Sequence, residues 1–269
     1  MIKSGLLFSF LLLLLLLTAC TAPIDKADNT LPVNEEHNIL VIHENNPNYA
    51  DLKQLFVEPS LFSETITKLN TSLELKRDLY IIFKDCMTGE YSGPYPPNYP
   101  TSYDSSSNSI TICYNALQEL NDFASSMGIE GGQQDQKSTN EIIEKMALFF
   151  LTHEMGHALL NELNLTPNEA DSHQITLTLA PKLNIVGEEI ILMPPMASIG
   201  LFYLKGLDYY ETHLIQLEDY ACWVYGQDPQ KYAILQSNWI TSEREKTCVQ
   251  EYKEITDKWN PILAPVLKN

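Results

Sequence analysis

The chain has 269 residues, 44% hydrophobic and 19% charged, which suits one large globular domain or two small ones and excludes disorder as the main state. Thirty-five acidic residues against 17 basic ones give a net charge of -18, a surface that repels phosphate backbones and argues against nucleic-acid partners. No apolar run reaches the roughly 18 residues that a transmembrane helix needs.

In chain order, the first twenty residues read as an address. Lys3 precedes an apolar stretch from Leu6 to Leu17, broken only by Ser9, and small residues follow it. That pattern describes a secretory signal. Its ending, Leu17-Thr18-Ala19-Cys20, resembles the lipobox of bacterial lipoproteins. The resemblance implies a signal peptide over residues 1–19 and a lipidated Cys20 at the mature N-terminus. Lipid would then hold the protein at a bacterial membrane, with nothing spanning it. Thr21 rather than Asp after the cysteine resembles the Gram-negative sorting signal for the outer membrane, facing the periplasm, over the inner membrane. Residues 20–46 read as a tether, polar at first with Pro23 and Pro32, and 47–269 as the folded domain.

Ile39 to Ile42 is a short apolar run, either a strand or the end of the tether. Between Asn48 and Asn70 the apolar residues Leu52, Leu55, Phe56, Leu61, Phe62, Ile66 and Leu69 recur at helical spacing and predict one or two helices. Leu79 to Phe83 predicts a strand from its aromatic and β-branched content. Residues 87–108 are rich in Gly, Pro, Tyr, Ser and Asn and predict a loop, with Tyr91, Tyr95, Tyr99 and Tyr103 facing solvent. Ser109 to Cys113 alternates and predicts a strand, either one whose edge can take an extended peptide or equally plain sheet. Tyr114 to Met127 predicts a helix.

Ser138 with Glu141 has the capping-box pattern, and behind it Ile142, Met146, Phe149, Phe150, His153, His157 and Leu160 form one helical stripe. Thr166 as cap and Pro167 at the first position predict a further helix, carrying Glu169 to Leu179 and stopped by Pro181. Residues 182–203 read as irregular, Tyr209 to Tyr225 and Glu243 to Trp259 as helices, and Pro261 to Asn269 as a tail. The fold class is α+β, mainly helical with a small sheet. Apart from Cys20, the cysteines are Cys86, Cys113, Cys222 and Cys248, an even number that suits an oxidising compartment. The pairings 86–113 and 222–248 are expected because each stays within one local stretch. A four-cysteine zinc site is disfavoured, since no C-x-x-C occurs.

The long helix carries His153-Glu154-Met155-Gly156-His157, an H-E-x-x-H. Residues four apart on a helix lie about 6 Å apart along its axis on nearly one face, so the two imidazoles can share one Zn2+. Glu154 points beside the metal, where it reaches water rather than the ion. Zinc lowers the pKa of such a water towards about 7, and Glu154 can act as general base and then pass the proton to a leaving amine. A third ligand is needed, and Asn168-Glu169-Ala170-Asp171-Ser172-His173 supplies candidates. Glu169 ranks first, His173 second and Asp171 third. Glu169 has a competing use in a capping box with Thr166, and His173 can instead orient a ligand by hydrogen bonding. The metzincin pattern needs Gly at 160 and His at 163, where this chain has Leu160 and Leu163. His213 is a candidate donor to a tetrahedral oxyanion.

From about Asn48 onwards the chain resembles a bacterial family of zinc metallopeptidases catalogued mainly as a domain of unknown function. The resemblance rests on Phe83-Lys84-Asp85-Cys86, Ser102-Tyr103-Asp104, Ile112-Cys113-Tyr114 and HEMGHALL with Leu163 and Leu165 behind it. It continues through Cys222-Trp223-Val224-Tyr225-Gly226, Asp228-Pro229, Cys248, Glu251, Tyr252 and Trp259. It implies a zincin-like domain and a site similar to that of gluzincins, with two His and a Glu from a second helix. The family tends to carry Asp four residues after the ligand Glu, where this chain has His173, and its loop around 91–100 is shorter. The expected function is zinc-dependent hydrolysis of a peptide or protein by a membrane-anchored lipoprotein. The alternative is a zinc-binding envelope module with a non-catalytic interaction or maintenance role.

Overall fold

Alternation builds the sheet. In the computed structural model, which describes residues 37–57, 59–86, 101–126, 136–183 and 218–268, Ile39–His43 forms β1 and Leu79–Lys84 forms β2. Leu79, Ile81 and Phe83 point inward and are buried, while the residues between them are half-buried on the other face. Thr101–Asp104 forms β3 and Ser109–Cys113 forms β4. The sheet order is β1-β2-β4-β3, with β1, β2 and β4 parallel and β3 antiparallel to β4. Parallel neighbours need a long crossover, and α1 (Ala50–Gln54) and α2 (Leu61–Ser72) provide it between β1 and β2. Asn70 of α2 serves the rim strand: its side chain accepts from Ile39 N–H at 2.7 Å and donates to the Ile39 carbonyl at 3.1 Å. β1 places the start of the folded part at Ile39 at the latest, within the stretch read as tether.

Three expectations about this region are corrected. The stretch 87–108 is not loop throughout, because Thr101–Asp104 is a strand. Thr101 and Tyr103 favour a strand but are separated by turn-forming types, and pairing with β4 along all four residues fixes it. Ser109 to Cys113 is an interior strand with neighbours on both sides, so the rim beyond it belongs to β3. The turn between them closes on Asn108, whose φ of 50° lies in the left-handed region that Asn tolerates. Tyr103 does not face solvent: its hydroxyl donates to Asn108 Oδ1 at 2.8 Å.

The helices follow as α3 (Tyr114–Ser126), α4 (Gln136–Glu162), α5 (Glu169–Leu183), α6 (218–227), α7 (Ala233–Asn238) and α8 (Ser242–Leu263). The long α4 already includes Gln136, so Ser138 lies inside it and is not its cap. Pro181 does not stop α5, which runs to Leu183, and Pro261 lies inside α8. Each proline sits in a last turn, where its missing N–H forfeits one hydrogen bond and few residues follow. Burial holds the end of α8: Leu263 and Val266 are buried, and Leu267 bridges to Leu73. The expected tail from Pro261 is therefore packed structure as far as Leu267. The segments expected from the sequence to be irregular up to 203 and helical from Tyr209 lie, over residues 184–217, outside the described residues. Among the described residues no helix is long and apolar enough to cross a membrane.

Two apolar clusters divide the interior. One gathers the inner face of the sheet, α2, α3 and α4 from Ile143 to Ala158. The other gathers Leu159 and Leu160 of α4 with α5, α6 and α8. Each fully buried Leu, Ile or Phe contributes roughly 2 kcal/mol by apolar transfer. Cys86–Cys113 joins the ends of β2 and β4, and Cys222–Cys248 joins α6 to α8, as expected from their locality. By loop closure each bridge contributes about 3–4 kcal/mol. H-E-x-x-H therefore falls where α4 passes from one cluster to the other.

Candidate metal centre

The turn after α4 delivers the third donor. Asn164 has φ 56°, Leu165 N–H donates to the Leu160 carbonyl at 2.8 Å and Asn164 N–H to the Asn161 carbonyl at 3.0 Å. This is the Schellman end of a helix, and it reverses the chain within a few residues. Asn168, not Thr166, then caps α5, since Asp171 N–H donates to Asn168 Oδ1 at 2.8 Å. Glu169 thus becomes the first residue of the helix and not the partner of a Thr166 cap.

The two helices approach unusually closely beside the motif. A Cβ at Gly156 would lie 2.4 Å from Ser172 Oγ and 2.5 Å from the Ser172 carbonyl oxygen, so only glycine fits. Ser172 Oγ donates to the His153 carbonyl at 2.7 Å, and Thr176 Oγ1 to the Thr152 carbonyl at 2.7 Å. Both hydroxyls are buried with their partners, so these bonds are shielded from water and lock the register of α5 on α4.

That register brings three donors together. Glu169 Oε2 lies 3.3 Å from His153 Nε2, and Glu169 Oε1 lies 3.6 Å from His157 Nε2. The imidazole centroids are 5.0 Å apart and nearly perpendicular. All three donor atoms lie within 4.8 Å of one another. Tetrahedral zinc with bonds of about 2.0–2.1 Å separates its donors by about 3.4 Å, and Glu169 already stands near that distance from each imidazole. The electrostatics agree. Burial alone would lower the pKa of His153, but the Glu169 contact and the Glu154 and Glu169 charges outweigh it and raise it. Two carboxylates around one buried and one half-buried imidazole make a place that favours positive charge.

The other candidates separate. Glu154 is 4% exposed and accepts a hydrogen bond from Thr101 Oγ1 at 2.9 Å. Asp171 does not join the donors. Burial would raise its pKa, yet its ion pair with Lys258 and its bond from Asn168 lower it. His173 stands beside the site: its ring centroid is 4.7 Å from that of His153 and 6.0 Å from that of Tyr220. Among the described residues the converging group is His153, His157 and Glu169. His213, Cys20, Tyr91, Tyr95 and Tyr99 lie outside the described residues. Sequence reasoning missed Thr101, Ser172 and Thr176. Their hydroxyls are ordinary in composition, and only packing gives them a task.

A family model described as "Putative metallopeptidase" matches residues 42–172 and 203–263. The first matched stretch takes in His153, Glu154, His157 and Glu169 and ends one residue before His173. No curated protein and no solved structure matches the chain.

Proposed function

The chain belongs to this metallopeptidase family, and from that we propose a zinc-dependent peptidase in which His153, His157 and Glu169 hold the metal and Glu154 is the general base. The observation that carries this reading is the convergence of three donors within 4.8 Å, the Glu169 oxygens 3.3 and 3.6 Å from the two imidazoles, with a second and buried carboxylate, Glu154, between the histidines on α4. Zinc, when bound, supplies a Lewis acid for a carbonyl and lowers the pKa of water towards about 7. The protein supplies the rest. His153 and His157 offer ring nitrogens from consecutive turns of α4, and Glu169 adds a carboxylate from α5. Glu154, held at the seam between α4 and β3, takes the proton of the attacking water and passes it to the leaving amine. A peptide or protein is the substrate class, and a lipidated Cys20 holds the enzyme in the bacterial cell envelope, at the outer membrane facing the periplasm. This anchorage draws its support from the leader sequence.

One set of variants tests the reading. Glu154→Gln is expected to keep stoichiometric zinc and lose cleavage of a mixed quenched-fluorescent peptide library by at least about 100-fold. Glu169→Ala is expected to lose zinc, measured by elemental analysis, and Cys20→Ser to lose fatty-acid labelling. Wild-type protein that takes up no zinc from a buffered solution overturns the metal site. Zinc-loaded protein that cleaves nothing leaves the non-catalytic module, and labelling unchanged in Cys20→Ser removes the anchor.

A further inference from the structure

The rim strand β3 touches α4 at two points. Thr101 Oγ1 donates to Glu154 Oε1 at 2.9 Å, and Asn161 Nδ2 donates to the Tyr103 hydroxyl at 2.8 Å. Thr101 and Tyr103 are two apart on a strand, so they share a face. Glu154 and Asn161 are seven apart on a helix, two turns on one face. The strand is fixed in turn. Thr101 and Tyr103 are paired with Ile112 and Ile110 of β4, and the Tyr103 hydroxyl donates to Asn108 Oδ1. Asn108 Nδ2 then donates to the Asp78 carbonyl at 2.7 Å, just before β2. β3 therefore cannot slide along α4 without breaking the Tyr103 clamp and its pairing to β4 together.

We infer that Thr101 is the positioning residue of the base: its hydroxyl holds Oε1 of Glu154 and leaves Oε2 to face the reacting water. This inference rests on the peptidase reading above. The chemistry is one-directional. An ionised carboxylate only accepts, and a threonine hydroxyl has a single hydrogen to give. A free glutamate tip turns over a broad, two-fold torsion. With Thr101 1% and Glu154 4% exposed, water does not compete for the bond. The carboxylate plane is thereby set by the sheet rim and not by α4 itself. A base must stand within about 0.5 Å of its productive place, so loss of this bond falls on turnover rather than on substrate binding.

The test compares Thr101→Val, which keeps the shape and removes the hydroxyl, with Thr101→Ser, which restores the hydroxyl. Turnover of the mixed quenched-fluorescent peptide library is read with zinc content and Tm on the full chain. In Thr101→Val, kcat is expected to fall about 10- to 100-fold, with KM within about twofold and zinc stoichiometric. Thr101→Ser is expected to recover kcat to within about threefold of wild type, even where its Tm is lower. Wild-type cleavage by Thr101→Val overturns the inference alone, as does a Thr101→Ser that loses kcat as fully as Thr101→Val. Zinc-loaded wild type that cleaves none of the library overturns the peptidase reading and this inference with it. Should Thr101→Val fail to fold, Thr101→Ser against Thr101→Ala decides on the same two readouts.

Discussion

The two regions packed on α4 are held together by different means. On the sheet side, large rings do the packing: Phe83 stacks on Phe56 at 4.8 Å, meets Phe62 edge-on at 5.3 Å and reaches Tyr114 at 5.5 Å. On the helical side, rings such as Trp259 are buried too, and close backbone approach is added to them. Gly156 and Gly226 each leave no room for a Cβ against the facing backbone, at Ser172 and Cys248, and hydroxyls and a disulfide fill the seams. Each region also hands α4 one element of the site. The helical side contributes the Glu169 carboxylate, and the sheet side the Thr101 hydroxyl on Glu154. On the proposed reading, metal binding and base alignment are separable: damage to one side is expected to remove the ion, and damage to the other to leave it in place.

The sharpest way to break that contrast is Gly156→Ala. The new methyl meets the Ser172 backbone and cannot be relieved by one rotamer. A loss of about 2–4 kcal/mol in denaturant stability is expected, with zinc lost as Glu169 is pushed away from the imidazoles. Stoichiometric zinc in a folded Gly156→Ala would show that the helix seam does not set the site.

A smaller effect on the sheet side comes with pH. The His43 pKa is lowered from 6.5 to about 4, chiefly by burial and then by the nearby Lys53 charge. Its ring stacks on Phe83 at 4.6 Å, and its Nδ1 lies 2.6 Å from the Tyr114 hydroxyl. As pH falls below about 6.5 the unfolded chain takes up a proton that the folded chain refuses. Stability contributed above pH 6.5 is therefore lost as pH falls to about 4, by about 1–2 kcal/mol once solvent screening of the half-buried ring is allowed for. Denaturant titrations at several pH values should show this slope, and His43→Asn should flatten it. An unchanged slope in the variant would assign the acid sensitivity elsewhere.

The least effect is expected from Asp171→Ala. It removes the Lys258 pair and a partner of the Asn168 cap, worth about 0.5–1 kcal/mol together, and leaves zinc content at wild type. Zinc lost from Asp171→Ala and kept in Glu169→Ala would exchange their roles.

Much of this was legible in the chain because it depends on local spacing. His153 and His157 share a face by helical period alone, and Glu169 follows on the next helix. Leu79, Ile81 and Phe83 announce an inward face by alternation, and the cysteines pair within short stretches. What was not legible depends on distant partners. β3 has only Thr101 and Tyr103 to favour a strand, within a stretch rich in turn residues, and it is paired to β4 along its whole length. Thr166 and Asn168 are both good caps, and the tight end of α4 selects the second. The prolines at 181 and 261 look like stops, but tertiary burial carries α8 past the second. Thr101 precedes Glu154 by 53 positions, so no local pattern could link them.

The shape of α4 has one more consequence. H-E-x-x-H is not a portable cassette here. Transplanted into another helix, the five residues would arrive without the groove that glycine opens, the carboxylate that the reversed chain returns, and the hydroxyl that the strand presents. The grafted helix would have two histidines and no metalloenzyme, because the working unit is the junction of three segments and the motif is only its middle piece.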